Sequence, residues 1–138
     1  MTPGSISNSI KLKVRFHECD PMKIVWHGNY YKYFEEAREK FVRQHGLSYL
    51  NVEEKGFYTP IVKTECEYLA PLKYGDEFEV FVTYERTRAA KLIFHYEIKF
   101  EDKVICKAKT IQVFTDMSNK LVLYPPEFLQ EWRKKMDL

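Results

Sequence analysis

Apolar and polar residues alternate near the start of the chain. Ile10, Leu12, Val14 and Phe16 are separated by Lys11, Lys13 and Arg15. A period of two puts the apolar set on one face and predicts a half-buried strand. The preceding residues, 1–9, are polar and uncharged and are expected to fray. The stretch HECDPMKIVWHG has no period and contains Pro21 and Gly28, so it reads as a loop. From Asn29 the pattern changes. Tyr30, Phe34, Ala37 and Phe41 step by four, three and four, and Tyr33 widens the stripe. That is one face of a helix. Glu35, Glu36, Arg38, Glu39, Lys40 and Arg43 are read as its polar surface. Asn29 is the expected N-cap, and Gly46 the expected stop after a basic last turn. Residues 47–55 predict a short helical turn.

The remainder reads as strands. One is predicted over 57–69, ended by Pro71, and a second over 76–88, with Phe78, Val80, Val82 and Tyr84 on one face. A third covers 91–100, where Leu92, Phe94, Tyr96, Ile98 and Phe100 alternate strictly, and a fourth covers 104–115. Their turns are short, so neighbours should pair antiparallel. A final helix is predicted over 125–136, with Pro126 in its first turn. One helix with one apolar stripe and a sheet with one apolar face pack most economically as an α+β fold, the sheet curled around the helix. Such an open sheet leaves edge strands, which two copies can cover for each other, so at least a dimer is expected. No repeat or linker interrupts residues 1–138, which predicts a single domain behind the 1–9 tail.

Composition narrows the function classes. With 138 residues, 45% hydrophobic and 30% charged, the chain is not a disordered one. Its 16% aromatic content calls for a thick core or an adhesive surface. No run approaches the roughly 18 apolar residues of a membrane span. The N-terminus has neither a basic region nor an apolar one, so no secretory leader is expected. Cys19, Cys66 and Cys106 are odd in number and far apart, which points to a reducing cytoplasm and not to a disulfide framework. A net charge of +2 gives little reason to expect nucleic acid as a partner.

The candidate chemistry lies between the first strand and the helix, in His17, Glu18, Cys19, Asp20, Trp26, His27, Gly28 and Asn29. His17, Asp20 and His27 are permissible metal ligands, but their spacing matches no zinc motif. Cys19 with a histidine base would make a nucleophile, but Asp20 opposes thiolate formation, and packing is the better reading for all three cysteines. The third reading is a carboxylate, Asp20, facing the start of a helix. The first N–H groups of a helix lack internal partners and can hold an oxyanion developing on a carbonyl. A thioester suits so small a site, because a thiol with a pKa near 8.5 leaves without a dedicated acid. The plainer alternative is that Asp20 caps a turn with Pro21.

The segment VRFHECDPMKIVWHGNYYKYFEEAREKF resembles the signature of the 4-hydroxybenzoyl-CoA thioesterase family, and EYLAPLKYGDEFEV continues the likeness through Pro71, Gly75 and Asp76. The resemblance implies the hot-dog fold, a curled antiparallel sheet around one long helix. It also implies homodimers, often paired into tetramers, with sites between subunits. Asp20 matches the family's catalytic aspartate, either nucleophile or base, and His27 the position whose backbone N–H polarises the thioester carbonyl. Trp26, Gly28, Asn29 and Tyr30 match the residues that shape this substrate corner. Glu36, Ala37 and Arg38 match the helix pattern, with a structural role. One departure is Lys23, where the family usually has a glycine able to take positive φ. Other hot-dog branches use a helix carboxylate, but Glu35, Glu36 and Glu39 read here as solvated surface.

The implied function is hydrolysis of an acyl-CoA thioester, with no metal and no cofactor beyond the coenzyme A carried by the substrate. No Gly-rich phosphate loop is present, so the CoA nucleotide would meet surface cations, for which Lys63, Arg86, Arg88 and Lys91 are candidates. The rivals are a hot-dog dehydratase, which leans on a histidine and a helix carboxylate, and a non-catalytic acyl-thioester or partner-binding module built on Trp26, Tyr30, Tyr31 and Phe34.

Overall fold

A computed structural model describes residues 6–138. The elements are β1 (Ile6–Lys13), α1 (Tyr30–Gln44), α2 (Tyr49–Glu54), β2 (Phe57–Tyr58), β3 (Ile61–Tyr68), β4 (Glu77–Tyr84), β5 (Lys91–Phe100), β6 (Lys103–Val113), β7 (Thr115–Asp116) and α3 (Glu127–Lys135). Five strands form one sheet in the order β1-β4-β5-β6-β3, and every pairing is antiparallel. β2 and β7 make a separate two-stranded piece.

The predicted stripe of α1, Tyr30, Tyr33, Phe34, Ala37 and Phe41, is buried, and Val42 is buried with it. It packs on the sheet face carrying Val80, Val82, Phe94, Tyr96 and Ile98, all buried. Phe34 meets Tyr96 with ring centroids 4.9 Å apart, and Phe41 meets Phe94 at 5.3 Å. This is the hot-dog fold, with the helix held by a curled sheet. Gly46, with φ +78°, takes the left-handed conformation that ends α1.

Several boundaries differ from the pattern. The first strand starts at Ile6, inside the expected tail, and residues 1–5 lie outside the described residues. Ser7 and Ser9 escape an apolar alternation because they are held by polar partners: Ser7 Oγ lies 2.9 Å from Thr83 Oγ1, and Ser9 donates to Glu79 at 2.7 Å. The strand expected over 57–69 is split into β2 and β3, with Pro60 in the gap and lacking a backbone donor. Arg38 is not polar surface but buried, donating to the Tyr49 hydroxyl at 2.8 Å and the Tyr96 hydroxyl at 3.2 Å. Pro126 precedes the last helix as its N-cap. That helix docks through Trp132, whose indole N–H donates to the His45 carbonyl at 2.6 Å. The buried Arg133 donates to Tyr84 Oη at 3.1 Å and to the carbonyls of Ala89 and Lys91 at 2.8 and 2.9 Å.

Candidate active site

The loop before α1 is a tight hairpin. The Trp26 N–H donates to the Glu18 carbonyl at 3.0 Å, and the Asp20 N–H to the Ile24 carbonyl at 2.8 Å, with Cys19 bridged to Val25 between them. A further bridge, Ile24 to Lys73, and the Val25 N–H on the Leu72 carbonyl at 2.9 Å fix it to the segment before β4. At its tip Asp20 Oδ1 accepts the Met22 N–H at 2.8 Å. The turn-capping role is therefore real, and it orients the carboxylate while leaving Oδ2 available. Lys23 closes the turn with φ 67°, so the conformation a glycine would take easily is forced on a lysine.

Glu18 anchors this hairpin to the helix. Its carboxylate is buried, and Oε1 accepts the Arg15 N–H at 2.7 Å and the Tyr33 hydroxyl at 3.0 Å. Burial, and then the Glu18 carboxylate, push the Tyr33 phenol well above its ordinary pKa, so it stays a donor. Asn29 stands at the expected N-cap position of α1, but its backbone is helical, with φ −75° and ψ −16°, and its side chain makes no capping bond. A one-turn 3-10 helix, His27–Asn29, extends α1 backwards, so Asn29 is already helical and its amide donates to the Glu18 carbonyl at 2.8 Å. The first extended residue is Trp26, with ψ 132°. The main-chain N–H groups of His27 and Gly28 then lead the helix, and neither meets an acceptor among the described residues.

Aromatic rings frame the corner. Trp26 is 51% exposed and lies 4.9 Å from the His27 ring. Gly28 fits beneath it because a Cβ there would come within 2.2 Å of the indole. Tyr30 is buried, and its hydroxyl accepts the Leu72 N–H at 3.3 Å. Tyr68, at the end of β3, was not singled out by pattern. Its hydroxyl donates to the His27 carbonyl at 2.8 Å, and its ring lies 5.1 Å from Tyr30. Its place here follows from the strand order, which no local signal in EYLAP reveals.

Burial, then Glu18, then Asp20 push the Cys19 thiol above its ordinary pKa, so it is a poor nucleophile. Cys106 is fully buried and Cys66 half-buried against it, with sulfurs 3.4 Å apart. No cluster of three His, Cys, Asp or Glu side chains is placed to hold a metal among the described residues. No helix there is long and apolar enough to cross a membrane. Glu35, Glu36 and Glu39 are exposed on α1. Among the CoA candidates, Arg86, Arg88 and Lys91 share the β4–β5 turn, all exposed, while Lys63 stands apart on β3, 3.0 Å from Glu65. Its hydrogen bond and charge hold the Glu65 carboxyl below the usual range. The turn cations lie at the far end of β4 from the Asp20 hairpin, roughly 26 Å away at about 3.3 Å per residue.

A sequence profile of the Thioesterase-like superfamily matches residues 14–132, which take in the hairpin, the helix and the whole of β3 to β6. The chain belongs to this superfamily. A relative in Aquifex aeolicus, provisionally assigned as an esterase, is 36% identical over 118 residues, covering 86% of this chain and 91% of that one. The Bacillus subtilis protein YneP, provisionally assigned as an acyl-CoA thioesterase, is 33% identical over 88 residues, 64% of each chain. The 4-hydroxybenzoyl CoA thioesterase of Pseudomonas sp. strain CBS-3 superposes with a TM-score of 0.78 at 22% identity, over 91% of this chain and 98% of that one. At that identity the likeness speaks for the shared fold.

Proposed function

We propose that this superfamily member hydrolyses an acyl-CoA thioester to the free acid and CoA. The observation that carries the reading is that one hairpin holds an oriented carboxylate, Asp20, and leads into the N–H groups of His27 and Gly28, which meet no acceptor among the described residues. The carbonyl oxygen of a bound thioester would lie on those two amides, where negative charge developing in the transition state is stabilised. Asp20 would attack the carbonyl carbon or take a proton from an attacking water, and the CoA thiolate would leave without a separate acid. Trp26 and Tyr68 would wall the acyl group, with the buried Tyr30 packed behind Tyr68. No cofactor enters this scheme, and the three thiols suit a reducing cytoplasm.

The assembly we infer is a homodimer joined along β3. Of the two edge strands, β1 carries cations alone, Lys11 and Lys13, whereas β3 exposes Ile61, Val62 and Tyr68 between charges of both signs, Lys63, Glu65 and Glu67, which two antiparallel copies can match. Pairing there would bring a second copy beside Tyr68 and hence beside the site.

The test is release of free thiol from a panel of acyl-CoAs by the native protein and by Asp20→Ala and Asp20→Asn. The expected loss is roughly 100-fold or more in kcat, with the fold intact by circular dichroism. Full activity in either variant removes Asp20 from the mechanism. Tight acyl-CoA binding without turnover at any chain length would favour a binding module.

A further inference from the structure

The most exposed aromatic pair in the hairpin region has no place in the scheme above. Phe16 is 77% exposed and Tyr74 is 61% exposed, yet their rings meet edge to face with centroids 5.7 Å apart. Either ring alone would be ordinary; side by side they make a small exposed apolar patch. They line a cleft of about 520 Å³ along the β1 edge, together with Lys11, Lys13 and Arg15. The carboxylates facing it are Glu18 and Glu36. Glu18 accepts the Arg15 N–H and the Tyr33 hydroxyl and keeps its charge, so three cations face two carboxylates and the cleft stays net positive. A larger cleft nearby, about 660 Å³, shares Lys11 and Lys13 and adds Lys99, but its four carboxylates, Glu77, Glu79, Glu101 and Asp102, outnumber the cations and would repel a polyanion.

We propose that the Phe16–Tyr74 pair stacks the adenine of coenzyme A, with Lys13 and Arg15 meeting its phosphates. The proposal rests on the thioesterase reading and adds the nucleotide subsite to it. Reach supports this location. Phe16 precedes Asp20 by four residues, a span of at most about 14 Å. The pantetheine arm between sulfur and phosphorus has as many chain atoms as four residues of peptide. A thioester beside Asp20 is therefore long enough in its arm to set its phosphates at the Arg15–Phe16 turn. Within one protomer the same arm falls well short of Arg86, Arg88 and Lys91, at the far end of β4. Purines stack on aromatic faces in a sequence-tolerant way, and cations beside the ring meet the phosphates.

Two substrates with the same acyl group separate this subsite from the chemistry: the CoA thioester, and the N-acetylcysteamine thioester, which has no nucleotide. In Phe16→Ala and Tyr74→Ala, KM for the CoA thioester should rise roughly tenfold, the scale of losing one stacking surface. KM for the truncated ester should not move, and Phe16→Trp should restore the CoA value. Equal changes for both esters, or none for either, overturn the subsite and leave the thioesterase reading standing. If neither ester is hydrolysed by the native protein, calorimetry with 3′,5′-ADP still decides. Binding that is lost in Phe16→Ala supports the subsite, and equal binding or none overturns it. Sedimentation covers the remaining occupant: if Phe16→Ala dissociates an oligomer, the pair is a contact between copies and the proposal falls.

Discussion

Lys23 occupies a backbone conformation that side chains resist. A left-handed L-residue costs about 1–2 kcal/mol, against about 0.5–1 kcal/mol for the extra freedom a glycine loses on folding. Lys23→Gly should therefore stabilise the protein by about 0.5–1 kcal/mol, read as a higher urea midpoint with an unchanged slope. Two residues away from the hairpin's other strand, Gly28 makes the opposite case. A methyl group there meets the far end of a half-exposed indole, which can swing away. Gly28→Ala is thus expected to shift the Trp26 fluorescence and raise KM, while stability changes by less than about 1 kcal/mol. The roles of Asp20 and Lys23 were legible because a turn is local chemistry. Glu18 and Arg38 were not. Each is a charged side chain buried by partners brought from elsewhere, Tyr33 for Glu18 and Tyr96 for Arg38, and no window of sequence contains both halves.

At the level of elements, α1 was readable from its stripe and β5 from its strict alternation, because burial on one face leaves a period. The N-terminal half of β1 was not, since Ser7 and Ser9 earn their places by hydrogen bonds. The start of α1 is extended for a related reason: a 3-10 turn, His27–Asn29, precedes it, and the Asn29 amide ties that turn to the Glu18 carbonyl. The end of α1 carries a pH dependence. Burial lowers the pKa of His45, whose ring packs on Phe41 at 4.5 Å. Below the ordinary histidine value near 6.5 the unfolded chain binds a proton that the folded one resists. Stability should therefore fall as the pH drops from 7 towards 5, and His45→Gln should flatten that slope in chemical denaturation measured at each pH.

For the whole molecule, the asymmetry of the sheet matters most. A sequence can show that edges exist, but only the strand order shows that the lysine-bearing β1 is one and β3 the other. Val62 is 59% exposed on β3. Val62→Asp should cost a lone protomer less than about 0.5 kcal/mol, as an exposed substitution. In the dimer it would bury a charge, so sedimentation should show dissociation and turnover should fall with it. The C-terminal helix adds a constraint in time. Arg133 supplies the donors for the Tyr84 hydroxyl and for two carbonyls of the β4–β5 turn, residues made more than forty positions earlier. On the ribosome, that corner waits unsatisfied until residue 133 clears the exit tunnel. Completion of this corner therefore waits for α3, and a nascent chain stalled before Glu127 would present an open turn to chaperones and proteases.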